Sequence, residues 1–245
     1  RYCAYGDLYE GYDERKGQDM DFGVAQKMLE YLYSIWGNAN PLSSVRTVAI
    51  GFYGGEPLMN FELIRQVVEY TSRHPLPGIA FKYNMTTNAM LLNKYQDFLQ
   101  MYDVKLLISL DGTKEDDCHR ITVNGKPSFE HVYRQVKTLQ QTYPDYFQHS
   151  VVFNSVIHSK SNIERILDFF EKEFGRHTMF SELSNKSVVN KEVYDSMYRS
   201  VIGSIALSAR QRELDEKLMY GSPTISSLTY YLHHLSNEVF KDYRT

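Results

Sequence analysis

Short β-branched apolar runs alternate along this chain with longer segments in which apolar residues recur every three or four positions. That alternation is the strongest constraint on the fold, because a strand followed by a helix that returns over the sheet builds parallel βα units. Strands are predicted at residues 45–53, 79–86, 104–110, 150–157 and 177–183. Helical patterns occupy 21–36, 61–72, 95–101, 129–142 and 162–174. In the first of these, Phe22, Ala25, Met28, Leu29, Leu32 and Ile35 are expected to form one apolar stripe. Successive strands start roughly 25–35 residues apart, the size of one βα repeat, except for a gap of 46 between the third and the fourth. The expected fold is α/β, with parallel βα units in a barrel or sheet and a sixth strand beginning upstream. Residues 191–245 read as a helical extension, broken at Gly221-Ser222-Pro223.

Composition narrows the function. A chain of 245 residues is one large domain or two small ones, and 42% hydrophobic with 23% charged residues is ordinary for a folded protein. The net charge of -3, without a basic run, argues against a nucleic-acid partner. No apolar stretch approaches the roughly 18–20 residues of a membrane helix and no signal peptide opens the chain, so no membrane partner and a cytoplasmic location are expected. Two cysteines, Cys3 and Cys118, make neither a disulfide framework nor a four-ligand metal site. The chain starts at Arg1 rather than Met, and it is expected to be part of a longer protein.

Chemistry-bearing residues gather where the predicted strands end, which is where α/β proteins bind ligands. Gly54-Gly55-Glu56-Pro57 follows the first strand. Paired glycines expose backbone groups, and a carboxylate beside bare carbonyls suits an ammonium ion. The plainer reading of the glycines is a tight strand-to-helix turn. The second strand ends at Thr87-Asn88, the third at Ser109-Leu110-Asp111-Gly112, and the fourth carries Asn154 and Ser155. Any one polar tip alone reads as a cap or an Asx turn. His119-Arg120 lies in a charged loop that reads equally as solvated surface, although arginine is well suited to clamp a carboxylate. Cys118 reads as an inert thiol, and Tyr5, Tyr9 and Tyr12 as packing residues.

Tyr2-Cys3, Gly54-Gly55-Glu56-Pro57, Thr87-Asn88-Ala89 with Leu91-Leu92, Ser109-Leu110-Asp111-Gly112 and Arg120 occur in an order that resembles the radical S-adenosylmethionine (SAM) enzymes. Within them the likeness is to the branch of peptide and protein maturases that includes sulfatase-maturating enzymes. The resemblance covers about residues 1–183 and implies a partial (β/α)6 parallel barrel over residues 1–190. It implies that Tyr2-Cys3 matches the last two positions of a Cys-x-x-x-Cys-x-aromatic-Cys loop, with Cys3 a ligand of a four-iron four-sulfur (4Fe-4S) cluster. It also implies that Gly54, Gly55 and Glu56 bind the SAM amino group, and that Tyr2, Thr87, Asn88, Ser109, Asp111, Arg120 and Asn154 surround the cofactor. Ala89 stands where the family has Gly, and Asp117-Cys118-His119-Arg120 matches a His-Asp-x-x-Arg pattern only in part. The same spacing puts the other two cluster cysteines before Arg1. Relatives of the SPASM type carry a cysteine-rich C-terminal domain with auxiliary clusters, and no cysteine follows Cys118.

The implied activity is reductive cleavage of SAM at the cluster to a 5′-deoxyadenosyl radical, which takes a hydrogen atom from a peptide or protein substrate, with a reductant protein supplying the electron. Two rival readings stand beside it. One is a catalytically inactive relative that binds a peptide or protein; the other is an unrelated aldolase-like barrel, for which Lys82 and Lys105 lie on predicted strands.

Overall fold

The structure, a computed structural model, describes residues 2–3, 6, 8–10, 19–37 and 46–206. The elements are α1 (Phe22–Gly37), β1 (Arg46–Phe52), α2 (Phe61–Arg73), β2 (Ile79–Thr87), α3 (Leu92–Met101), β3 (Lys105–Ser109), α4 (Phe129–Thr142), α5 (Pro144–Ser150), β4 (Val151–Ile157), α6 (Ile163–Phe174), β5 (Thr178–Glu182), α7 (Lys191–Met197) and α8 (Val201–Ala206). The five predicted strands are all present. In one unit β2 lies between β1 and β3, and in the other β4 lies beside β5, each strand next to a sequence neighbour as in a βα-barrel repeat. The pairings β1–β2, β2–β3 and β4–β5 are parallel. The fold is α/β, consistent with a partial (β/α) barrel.

The chain divides into two compact units. One comprises Asp13–Ser109 and His131–Val151; the other comprises Arg1–Tyr12, Leu110–Glu130 and Val152–Thr245. In the first unit β1 pairs with β2 from Arg46↔Ile79 to Phe52↔Met85, and β2 pairs with β3 from Asn84↔Lys105 to Thr87↔Ile108. Side chains alternate along β2, so Tyr83, Met85 and Thr87 are buried while Lys82 and Asn84 are exposed. Ile64, Val67, Val68 and Thr71 make the buried stripe of α2, and the Thr71 hydroxyl meets that of Tyr83 at 2.7 Å. Val132, Val136 and Leu139 do the same for α4.

Helix α1 departs from expectation. Met28 and Ile35, expected in the buried stripe, are exposed at 65% and 48%, together with Val24 and Tyr31 on the same face; only Leu29 is fully buried. The helix carries apolar residues on two faces, and a period of 3.6 reads them as one broad stripe. A second departure is α5, a seven-residue helix begun by Pro144, too short to show a period.

In the second unit β4 pairs with β5 from Phe153↔Thr178 to Ile157↔Glu182. Helix α6 buries Ile163, Ile166, Leu167, Phe170 and Phe174, and the Phe153 ring lies 4.7 Å from Phe170 and 5.0 Å from Phe174. Each such side chain contributes roughly 1.5–3 kcal/mol of burial. The helix starts at Asn162, whose side chain accepts from Arg165 N at 2.9 Å, and stops at Gly175, whose φ of +62 favours glycine. Leu8 and Tyr9 pack with Leu183, Tyr194 and Met197, so Tyr9 is a core residue and α7 shares that core. Tyr5, Tyr12 and residues 207–245 of the expected extension lie outside the described residues.

Candidate functional site

In the first unit the candidate residues follow β1. Gly54 and Gly55 are exposed, and a Cβ on either would meet nothing within 4 Å, so the space beside this backbone is open. Gly54 has φ +135, which L side chains rarely adopt. Glu56 then caps a single 3-10 turn, Pro57–Asn60, by accepting from Leu58 N at 3.1 Å. Its carboxylate also accepts from the Thr87 hydroxyl and from Asn88 N, each at 2.8 Å. Two segments 31 and 32 residues apart are thus joined through one side chain.

Thr87 and Asn88 make turns as well, Thr87 Oγ1 accepting from Ala89 N at 3.0 Å and Asn88 Oδ1 from Met90 N at 2.9 Å. Ala89, where the resembled pattern has Gly, is fully buried with φ +58. The three donors on Glu56 are all neutral. They occupy three of the roughly four acceptor positions of a carboxylate, so its negative charge and one position remain for a cationic group. Ser109 closes β3, half-buried.

In the second unit Asp111 is fully buried and accepts three hydrogen bonds: from Tyr2 Oη, from Val156 N at 2.9 Å and from Arg120 Nη2 at 2.8 Å. Gly112 follows with φ +129, and a Cβ there would lie 2.7 Å from Ile166 Cγ1, so only glycine fits. Arg120 also lies over the Tyr2 ring, 5.5 Å from its centroid, and its Nε is 3.5 Å from Asp117 Oδ1. Burial disfavours the charged guanidinium, but the Asp111 charge overrides it and holds Arg120 still more firmly protonated. Burial, reinforced by the Asp111 charge, pushes the Asp117 carboxyl up to about 7. Burial also raises the Tyr2 hydroxyl well above its usual range, keeping it a donor to Asp111.

Tyr2, Asp111 and Arg120 are therefore brought together, but Arg120 faces an internal carboxylate. Cys3 is exposed. Asn154 Nδ2 donates to Ser181 Oγ at 2.9 Å, and the Asn154 carbonyl accepts from Leu110 N at 3.2 Å. Lys105, considered above for an aldolase-like site, is paired with Asp103 at 3.0 Å.

Two groups escaped the sequence reading. Asp116, fully buried, ties the loop after β3 to α6 through Arg165 at 2.9 and 2.6 Å and Asn162 N at 3.0 Å. His158, fully buried directly after β4, lies with its ring 4.5 Å from that of His119. Its place at a strand end was the available signal. Among the described residues, no helix is long and apolar enough to cross a membrane.

The profile of the Radical SAM superfamily matches residues 1–172. The chain belongs to the radical SAM superfamily, which removes the aldolase-like alternative. An uncharacterized protein of Methanocaldococcus jannaschii, MJ0907, is 34% identical over 127 residues, covering 51% of this chain and 41% of that protein. Radical SAM cyclopropyl synthase TigE of Paramaledivibacter caminithermalis is 26% identical over 113 residues, 46% of this chain and 22% of that protein. The chain thus spans less than half the length of these relatives. Two solved structures of anSMEcpe are similar in fold at 17% identity. The one with bound AdoMet has a TM-score of 0.68 and the one with AdoMet and the Kp18Cys peptide 0.65, over 95% of this chain and 62% and 61% of theirs.

The family implies SAM and a 4Fe-4S cluster, and the residues fit the two unequally. Open space beside Gly54 and Gly55, with an acidic group that no cation neutralises among the described residues, suits the SAM ammonium group. For the cluster, Cys3 is one exposed thiol of the three cysteines such a motif uses.

Proposed function

We propose that the protein containing this chain is a peptide- or protein-modifying radical SAM enzyme that binds SAM through Gly54, Gly55 and Glu56. The carrying observation is the clasp in which Glu56 is held at both oxygens by Leu58 N, Thr87 Oγ1 and Asn88 N, all uncharged donors. A carboxylate fixed in this way cannot swing aside, and its charge is available to an ammonium group. Superfamily membership supports the reading, and the Kp18Cys peptide bound with AdoMet in the anSMEcpe structure of similar fold favours a peptide substrate. When bound, the cluster supplies the electron that cleaves SAM to a 5′-deoxyadenosyl radical.

The chain's own residues bind and orient. Glu56 fixes the ammonium group, while Thr87 and Asn88 hold Glu56. Asp111 and Arg120 are positioning residues: they grip Tyr2, the residue next to Cys3, by a hydrogen bond and by the guanidinium over its ring. The test is SAM binding by calorimetry to the full-length protein, comparing Gly55→Val and Glu56→Gln with the parent. Both should weaken binding about tenfold or more, 1.4 kcal/mol per tenfold; unchanged affinity in both removes the assignment. Reduction without oxygen, followed by electron paramagnetic resonance, should give a four-iron signal that shifts with SAM and disappears in Cys3→Ala. Failure of any cluster to form would favour the inactive peptide-binding relative.

A further inference from the structure

We propose that Cys118, His119 and His158 form a second metal site, for one zinc-class divalent ion, that does not use Cys3, although the neighbouring Tyr2 ring lies 6.4 Å from each histidine ring. The donor atoms of these three side chains all lie within 4.8 Å of one another. Two come from the loop after β3 and one from the end of β4, so a pair adjacent in the chain meets a third residue from another segment. His158 is fully buried, His119 is 6% exposed and Cys118 is half-buried. Four-coordinate zinc with bonds of about 2.0–2.3 Å sets its donors about 3.3–3.8 Å apart, so closing on an ion asks each donor to move by about 1 Å or less.

His158 is prepared for this role. Its Nε2 lies 2.6 Å from the Asp116 carbonyl oxygen, which places the ring proton on Nε2 and the lone pair on Nδ1. Metal-binding histidines characteristically donate their other ring N–H to a carbonyl or carboxylate in this manner. Among the described residues Nδ1 accepts from Lys160 N, at 3.2 Å, the long end of the hydrogen-bond range. The residue presenting that carbonyl is itself rigid, because the Asp116 carboxylate is gripped by Arg165, Asn162 N and Thr113. Two imidazoles and one thiolate select zinc-class ions over magnesium or calcium, and three protein donors leave a fourth position open to water or an exogenous ligand.

The test uses the full-length protein, freed of metal with a chelator and kept without oxygen and without iron, so that neither a cluster nor SAM enters the readout. Cobalt(II) is the probe. One equivalent should give a thiolate-to-cobalt charge-transfer band with four-coordinate visible bands, and zinc should displace it. The band should persist in Cys3→Ser, disappear in Cys118→Ser, and require more cobalt in His158→Gln by at least the roughly 10- to 100-fold typical of a lost supporting group. No thiolate band in the parent protein, a band that survives Cys118→Ser, or one lost in Cys3→Ser would overturn the proposal. Should the variants fail to fold, the parent protein still decides. Zinc, and not magnesium, should slow alkylation of Cys118 about tenfold, as read by peptide mass spectrometry, because the bound thiolate is no longer a free nucleophile. An unchanged rate refutes the site.

Discussion

Glu56 and Asp111 are both acids placed just beyond the end of a parallel strand, and each accepts three hydrogen bonds, yet their surroundings differ in one respect. Among the described residues every donor on Glu56 is neutral, whereas one of the donors on Asp111 is the Arg120 guanidinium. Hydrogen bonds from neutral donors fix a carboxylate without cancelling its charge; an ion pair cancels it. Glu56 is thereby suited to a cationic ligand and Asp111 to holding the protein's own parts in place. Two acids placed just past strand ends serve two purposes, and the identity of the donors decides which.

The largest effect should separate these roles. Asp111→Ala leaves Arg120 buried without its main counter-charge and should lower the unfolding free energy by about 3–5 kcal/mol, measured by urea denaturation. A loss well under 1 kcal/mol would break the comparison, since Asp111 would then resemble a solvated acid. Next in size is Gly112→Ala, which puts a Cβ against Ile166 at a φ of +129 and should cost about 2–3 kcal/mol. Retention of full stability would mean that the Asp111 turn is not held as described.

Glu56→Gln should be milder for stability, about 1 kcal/mol, because a carboxamide oxygen still accepts from some of the three donors. Its larger consequence should be weaker SAM binding, so an equal loss of stability in the two acid variants, with SAM affinity untouched, would erase the distinction. Smallest is Ala89→Gly. A left-handed alanine costs roughly 1–2 kcal/mol, while deleting its buried methyl forfeits about 0.8 kcal/mol. Thermal unfolding should therefore change little, within about 1 kcal/mol and toward greater stability; marked destabilisation would show that the methyl group matters more than the strain.

Much of the architecture was legible beforehand. All five strands fall within two residues of their expected limits, since β-branched runs such as Val151-Val152-Phe153 declare themselves without help from the rest of the chain. Helix α6 was equally plain, its buried residues recurring at three and four. Where an element was short or two-faced, the pattern misled: α5 has too few residues for a period, and α1 hides Leu29 while leaving Met28 in solvent. The site was legible as motifs but not as partnerships. Thr87-Asn88 and Gly54-Gly55-Glu56 were singled out separately, and nothing in either segment announces that the first holds the second. Arg120 and Asp111 were likewise singled out separately, and neither motif announces the bond between them.

What the sequence alone determined is therefore the order of elements, the strand ends at which polar residues collect and the family to which those motifs point. These depend on neighbours a few positions apart, where side-chain alternation and helical period act directly. The tertiary structure decided which charges are neutralised and which stay available, that His158 joins Cys118 and His119, and that Asp111 secures Tyr2. The pairings of His158 and of Tyr2 link residues 39 to 109 positions apart. They depend on the packing that closes each long loop, which no local pattern records.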